Sequence, residues 1–352
     1  MPKKINVIRL SSVHYQVPDL SRERDFLKDF GLTEVARDNS RSFFTGFGVE
    51  PYVFFAEQSP DSKRHFLGGS WAAATEEDLR LAASHPKASQ IHDRQGPGGG
   101  KIVTITDPNG FPVSFIFGQQ LKPRGEPTMI SRSSRDDSEL IQNKAYDKPR
   151  KGKFRRFNPG PSPVHKPGHY GYGVPASKYK ETFEWYTSLM NLSPTDAVFD
   201  PQTGEDKTCF MHIDLGMEYS DHHSFFLGAL PEHLPAFVHH SSFEVNDMDT
   251  QSLGHDWLVA KGWTNCWGIG RHVLGSQIFD YWFDGAGNIL EHYSDGDEVN
   301  QETPFSREPE APDSLYIWGP NIPLGFVTGR IEDAGKYPPT PAPTPSSAAA
   351  NA

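Results

Sequence analysis

The sequence predicts an α+β fold built from two tandem copies of one unit, each combining a helix with several short strands. The chain has 352 residues, which is enough for two domains that each bury a core. A pattern of strand, helix and short strands spans about residues 6–120 and returns after residue 164. Each copy closes on a predicted hairpin, so the second half repeats the first.

The first copy begins with a strand pattern that leads into an amphipathic helix. Phe26, Leu27 and Phe30 lie on one face of that helix. Residues 101–118 then alternate around a Pro-Asn-Gly turn, which is typical of a β-hairpin. We place this first domain at residues 1–120.

The second copy follows the same order. Phe183, Tyr186 and Met190 recur at helical spacing after a strand pattern. Residues 279–294 repeat the closing hairpin around an Asp-Gly-Ala-Gly turn. This second domain is placed at residues 164–300.

The segments outside the two copies have the composition of linkers. Residues 121–163 are rich in Ser, Arg, Lys and Pro and predict a surface linker. Its basic run, residues 148–157, could serve as a nucleic-acid patch, although a solvated linker is the favoured interpretation. A C-terminal extension or lid covers 301–334, and the Pro- and Ala-rich tail 335–352 is predicted to be disordered.

Composition excludes several classes of function. With 34 Lys and Arg against 45 Asp and Glu, the net charge of −11 argues against nucleic-acid binding. Cys209 and Cys266 are the two cysteines, too few for a disulfide framework. We recognise no signal peptide and no stretch of the roughly 18 apolar residues that a membrane span requires. A cytoplasmic protein without membrane or nucleic-acid partners is therefore expected.

Three metal-competent side chains lie on predicted strands of the second copy: His169, His240 and Glu291. Two imidazoles and one carboxylate with open coordination positions are typical of non-haem Fe(II) oxygenases. Each residue alone is more often an ordinary strand residue. His239 precedes His240 and faces the other side of the strand, so we assign it an outward-facing or structural role.

The repeat provides an internal test of this set. Three anchors align the copies, namely the Val-Pro that ends the first strand of each copy, the aspartate that opens each hairpin turn, and the strand segments 69–73 and 241–245. The alignment pairs His169 with Ser12, His240 with Gly68 and Glu291 with Ser114. All three candidate ligands thus occur together in one copy and are absent together from the other, as expected for a functional set.

On these motifs the sequence resembles the type I extradiol ring-cleaving dioxygenases of the vicinal oxygen chelate superfamily, over residues 6–120 and 164–300. The resemblance implies two modules of paired βαβββ units forming open β-barrels, with the metal site in the C-terminal module. It also implies Fe(II), with Mn(II) as the other metal that these ligands accept. A homo-oligomer is expected, because the family commonly assembles.

The resemblance extends to residues around the metal. Residues 270–293 match the family's signature segment, which assigns His272 and Tyr281 as pocket residues that position a substrate. The family's histidine beside the O2 position falls within Ser-Asp-His-His-Ser-Phe. The match favours His222, although an error of one residue would select His223.

The activity implied by the resemblance is Fe(II)-dependent cleavage of a catechol-type aromatic diol by O2, beside the two hydroxyls. The product would be a ring-opened semialdehyde or keto acid. His222 would donate a proton during O–O cleavage. By the same resemblance, Ser314–Pro320 is expected to fold back as a lid near the pocket.

Two alternatives remain open at this point. A glyoxalase-like isomerase or lyase would use a metal on the same scaffold, usually with another Glu or Gln among the ligands. A non-catalytic protein that binds an aromatic compound would not need three intact ligands. Phe225, Trp263, Trp267 and Trp282 either line an aromatic pocket or fill the core.

Overall fold

The computed structural model describes residues 3–126, 142–152, 155–311 and 314–338. Part of the predicted linker, at 127–141 and 153–154, and the tail from residue 339 lie outside the described residues. Predictions for the whole basic run and for a disordered tail therefore stay predictions.

The first module contains eight strands and two helices. Their bounds are β1 Val7–Val17, α1 Leu20–Asp29, β2 Thr33–Arg37, β3 Arg41–Thr45, β4 Phe54–Gln58, β5 His65–Ala73, α2 Glu76–Ala83, β6 His92–Asp93, β7 Lys101–Thr106 and β8 Pro112–Phe117. These strands form one sheet in the order β2-β3-β4-β1-β5-β8-β7-β6.

The second module repeats this arrangement and adds to it. Its elements are β9 Val164–Pro175, α3 Ala176–Leu189, β10 Leu192–Phe199, β11 Asp206–Ile213, β12 Ser220–Asp221, β13 Phe225–Leu230, β14 Phe237–Val245, α4 Met248–Ala260, β15 Asn265–Arg271, β16 Ile278–Phe283, β17 Ile289–Ser294, β18 Glu298–Val299, β19 Ser306–Pro309 and α5 Leu324–Thr328. The main sheet has the order β15-β16-β17-β14-β9-β13-β11-β10-β19. Two sheet-rich modules with few helices confirm the predicted α+β fold.

Strand register supports the alignment of the two copies. Val13 pairs with Gly69 in the first module, and Tyr170 pairs with Ser241 in the second. Each of these residues directly follows an aligned position, namely Ser12, Gly68, His169 and His240. The same neighbours therefore meet across the central strand pair of both sheets.

The helices begin at polar caps and pack the modules against each other. The Asp19 side chain accepts from the third residue of its helix, Arg22, at the start of α1, and Asp247 caps α4. At the other end of α1, Asp29 accepts hydrogen bonds from the indoles of Trp257 and Trp263, both at 3.0 Å. These bonds join the first helix of one module to the region around α4 in the other.

One hydrophobic core runs through both modules. It contains buried side chains from β1 and β5 of the first module and from β9, β13 and β14 of the second. Polar bridges cross it: the Tyr15 and Ser241 hydroxyls lie 2.7 Å apart, and the Trp71 indole donates to the Tyr170 hydroxyl at 3.1 Å. The first module therefore supports the strands that carry the candidate site.

The sequence did not decide whether four aromatic residues line a pocket or fill the core. In the structure they belong to the packed interior. Phe225 and Trp282 are buried in the shared core, and Trp263 packs against it. Trp267 lies in a second cluster with Phe326. Among the described residues, no helix is both long and apolar enough to cross a membrane.

Candidate metal centre

Three adjacent strands bring the predicted ligands together. His169 lies on β9, His240 on β14 and Glu291 on β17, and these strands are neighbours in the sheet. The three side chains are buried, with exposures of 2 %, 5 % and 0 %. Residues that are far apart in sequence therefore meet, because they lie on the same face of three neighbouring strands.

The spacing of the donor atoms suits one metal ion. The His169 Nε2 lies 3.2 Å from the His240 Nε2 and 3.1 Å from a Glu291 carboxylate oxygen. The His240 Nε2 lies 3.6 Å from the same carboxylate, and one donor atom from each residue lies within 4.8 Å of the others. Both Glu291 oxygens are buried without a well-aligned hydrogen-bond donor in the described chain. Two imidazoles and an unsatisfied carboxylate fit a divalent first-row metal.

The electrostatics keep the ligands in their metal-binding protonation states. Burial opposes ionisation of Glu291, but His169 and His272 outweigh it and hold the pKa of Glu291 well below its usual range. Burial, with a smaller contribution from His239, lowers the pKa of His240 well below its usual value. An ionised carboxylate and a neutral imidazole are the forms that coordinate a metal.

His239 orients its neighbour. Its Nδ1 lies 2.8 Å from the Nδ1 of His240, which leaves the His240 Nε2 facing the cluster. Burial lowers the pKa of His239 to about 4. The side chain also lines the cavity beside the cluster, so it is not turned outward.

His272 and Tyr281 lie together beside the cluster. The Tyr281 hydroxyl is 2.8 Å from the Nε2 of His272, whose Nδ1 is 2.6 Å from the Leu315 carbonyl oxygen. Because a carbonyl oxygen only accepts, the Nδ1 carries a proton, while the bond between the Nε2 and the Tyr281 hydroxyl can run in either direction. His272 also lies 3.8 Å from a Glu291 oxygen. The structure thus brings both predicted pocket residues to the metal cluster.

The structure corrects the choice of His222. That side chain points away from the cavity to Asp196, with 2.6 Å between its Nε2 and the carboxylate. His223 lines the cavity instead, and its ring centre lies 4.1 Å from that of His169. Neighbouring residues of an extended segment face opposite sides, so the one-residue alternative applies.

His222 and His223 remain connected. Their Nδ1 atoms lie 2.9 Å apart, so Asp196, His222 and His223 form a chain of hydrogen bonds toward the cavity. Burial lowers the pKa of His223 well below its usual value, and the nearby His169 lowers it further. His223 is therefore a neutral imidazole whose proton can be replaced through His222.

A cavity of about 340 Å³ opens beside the cluster. Its walls are largely apolar, and the C-terminal extension supplies part of them. The apolar side chains of the wall include Phe210, Phe226, Leu230, Leu274, Leu315, Ile322, Phe326 and Val327. Leu315 belongs to the segment expected to form a lid, and the structure brings it to the cavity. The helix α5 also lies within the predicted extension or lid at 301–334, but no sequence pattern indicates that its side chains face this cavity.

Comparisons with known proteins agree with this architecture. Residues 166–291 match the model of the Glyoxalase/Bleomycin resistance protein/Dioxygenase superfamily. Metapyrocatechase 2 of Cupriavidus necator is 28% identical over 320 residues, covering 89% of this chain and 90% of the relative.

Two solved structures share the fold. The Mn(II)-bound glyoxalase from Novosphingobium aromaticivorans has a TM-score of 0.72 and 19% identity, with 97% of each chain covered. Homoprotocatechuate 2,3-dioxygenase from Brevibacterium fuscum, in its anaerobic complex with 3,4-dihydroxyphenylacetate, has a TM-score of 0.73 and 16% identity. That match covers 92% of each chain.

Proposed function

Since residues 166–291 match the model of the Glyoxalase/Bleomycin resistance protein/Dioxygenase superfamily, we propose that this chain is an Fe(II)-dependent extradiol dioxygenase that opens a catechol-type ring with O2. The observation that carries the proposal is the buried cluster of His169, His240 and Glu291, with His223, His272 and Tyr281 around one cavity. The similarity to metapyrocatechase 2 supports the same reaction class. Mn(II) is the alternative metal, and a homo-oligomer stays a prediction.

His169, His240 and Glu291 would hold the metal. When bound, the metal would supply coordination positions for the diol and O2. Neighbouring strands and the contact of His240 with His239 set the orientation of the ligands.

The surrounding side chains would handle protons. Tyr281 and His272 form a hydrogen-bonded pair at the cavity wall and can orient a hydroxyl of the substrate. His223 can donate a proton to an oxygen in the cavity, and His222 with Asp196 can return one. The apolar walls exclude water from the reacting group.

The test is reconstitution with Fe(II) without air, followed by addition of catechol and O2 while O2 uptake and visible absorbance are recorded. We expect one O2 consumed per catechol and a yellow product. His240→Ala should lose both metal and activity, whereas His233→Ala, an exposed control, should keep both. A protein that binds metal but consumes no O2 with any diol would contradict the proposal and favour a glyoxalase-like isomerase.

A further inference from the structure

The first module has a cavity of its own at the position that corresponds to the three candidate metal ligands of the second module. The cavity has a volume of about 300 Å³ and is lined by Ser12 and Ser114. These are the residues that align with His169 and Glu291. The cavity is therefore the counterpart of the metal centre.

The correspondence extends to the closing hairpin. Thr104 pairs with Ser114 across β7 and β8, just as Tyr281 pairs with Glu291 across β16 and β17. The Thr104 and Ser114 hydroxyls lie 2.8 Å apart. The Ser114 hydroxyl thus occupies the position of the Glu291 carboxylate, and the Thr104 hydroxyl occupies the position of the Tyr281 phenol.

Arg94 occupies the position of His272. Gly100 and Gln277 each lie four residues before the aligned hydroxyl residue of their hairpin. The Arg94 amide donates to the Gly100 carbonyl, and the His272 amide donates to the Gln277 carbonyl, both at 2.9 Å. The first module therefore presents a guanidinium where the second presents an imidazole.

The Arg94 guanidinium is buried without an acceptor. The side chain is 5 % exposed, and none of its three nitrogens has a well-aligned hydrogen-bond acceptor within the described residues, although Tyr52 and Glu50 attract it electrostatically. Its Cζ lies 4.0 Å from the ring centre of Tyr52, the residue that aligns with His223. The contact with the ring offsets part of the cost of burial, but a charged donor without an acceptor remains unfavourable.

Nearby carboxylates are engaged elsewhere. Glu50 contacts Arg9 and accepts a hydrogen bond from the Ser11 hydroxyl at 2.6 Å. Asp93, at the rim of the cavity, is 2.7 Å from the Lys101 ammonium group. Neither acid is hydrogen-bonded to Arg94, so the guanidinium retains its capacity to bind an anion.

We propose that this cavity binds a small carboxylate, with Arg94 as its anchor and the hydroxyls of Ser12 and Ser114 as further donors. A planar guanidinium matches the two oxygens of a carboxylate. Phe55 and Leu67 give the cavity an apolar wall, which suits the hydrocarbon part of such a ligand rather than inorganic phosphate. The site is independent of the metal and of the proposed reaction.

Isothermal titration of the purified full-length chain with benzoate tests the proposal. We expect one equivalent to bind, and Arg94→Met to weaken binding by about tenfold or more because a charged hydrogen-bond donor is lost. Arg80→Met, on the exposed side of α2, and His272→Ala, in the other cavity, should leave binding unchanged. Without benzoate, Arg94→Met should melt at the same temperature as the unaltered chain or higher, because an unpaired buried charge is removed.

Four results would overturn the proposal. The first is no benzoate binding by the unaltered chain, and the second is binding that depends on His272 but not on Arg94. The third is binding of inorganic phosphate without binding of benzoate. A lower melting temperature of Arg94→Met with unchanged benzoate binding would also overturn it, by assigning Arg94 a structural role only.

Discussion

At the scale of single residues, the site depends on which of two neighbouring histidines faces the cavity. His222 contacts Asp196, and His223 contacts the ring of His169. The proposed roles differ accordingly: His223 would contact a substrate oxygen, while His222 would act only through His223.

Replacing each histidine separates these roles. We expect His223→Ala to lower kcat by about 10²–10⁴-fold, the usual contribution of a general acid or base. His222→Ala should lower kcat less and shift its pH profile, because His223 loses the partner that returns its proton. Steady-state O2 uptake from pH 5.5 to 9 measures both, and equal losses in the two variants would contradict the assignment.

At the scale of elements, the closing wall of the cavity comes from α5. Phe326 lies on this helix, and its ring centre is 4.7 Å from that of His239 and 4.8 Å from that of Tyr281. A short helix near the end of the chain thus covers residues of the catalytic module.

Truncating this contact should loosen substrate binding. We expect Phe326→Ala to raise KM for catechol by about tenfold with a smaller change in kcat, because apolar contact is lost but the ligands stay in place. Phe305→Ala, at an exposed phenylalanine outside the cavity, is the matched control. An unchanged KM in the Phe326 variant would show that α5 does not close the cavity.

A second element-scale prediction concerns the boundary between α1 and the β16–β17 turn. Glu23 is fully buried, and burial followed by repulsion from Asp284 raises its pKa well above the usual value. The unfolded chain therefore loses this proton at a lower pH than the folded chain does. The stabilisation is complete below the ordinary glutamate pKa and is lost as pH rises toward the folded value.

The Glu23→Gln variant should not lose this stability as pH rises. We expect the variant to resist urea better than the unaltered chain at pH 8, by about 1.4 kcal/mol for each pH unit by which the folded pKa is raised. The difference should disappear near pH 4, where both states are protonated. Glu76→Gln, on the exposed face of α2, should show no such dependence, and the same result for Glu23→Gln would contradict the burial argument.

The elements also show what sequence can and cannot predict. The three ligands could be found because the Val-Pro and hairpin aspartates fix their register in both copies. Aligning Val53-Phe54-Phe55 with Ser224-Phe225-Phe226 places Tyr52 opposite His223, but only the structure shows that His223 rather than His222 faces the cavity. The position of α5 could not be predicted, because its contacts depend on the path of the chain after the last repeated strand.

At the scale of the whole molecule, charge is distributed unequally between the two cavities. The first module buries Arg94 beside its cavity. In the described part of the chain, no Lys or Arg lines the cavity beside the three metal ligands. Apart from histidines, Glu310 is the one charged residue among the described residues that line it. Glu310 is itself paired with Lys207 at 2.6 Å.

This distribution predicts the preferred substrate. A carboxylate on the ring would enter an apolar cavity that offers it no Lys or Arg partner, which is costly. We expect kcat/KM for 4-methylcatechol to exceed that for 3,4-dihydroxybenzoate by about 100-fold, as follows from an unpaired buried charge. The comparison is made at one pH and ionic strength, and a preference for the acid would contradict it.

Because one core runs through both modules, the two copies depend on each other for folding, which favours their retention as a pair. A duplicated gene usually leaves one copy free to change or to be deleted. Here each copy supplies part of the other's interior, as the hydroxyl contact between Tyr15 and Ser241 shows. A substitution that destabilises the copy without those ligands should therefore also lower the amount of folded metal-binding copy in the cell.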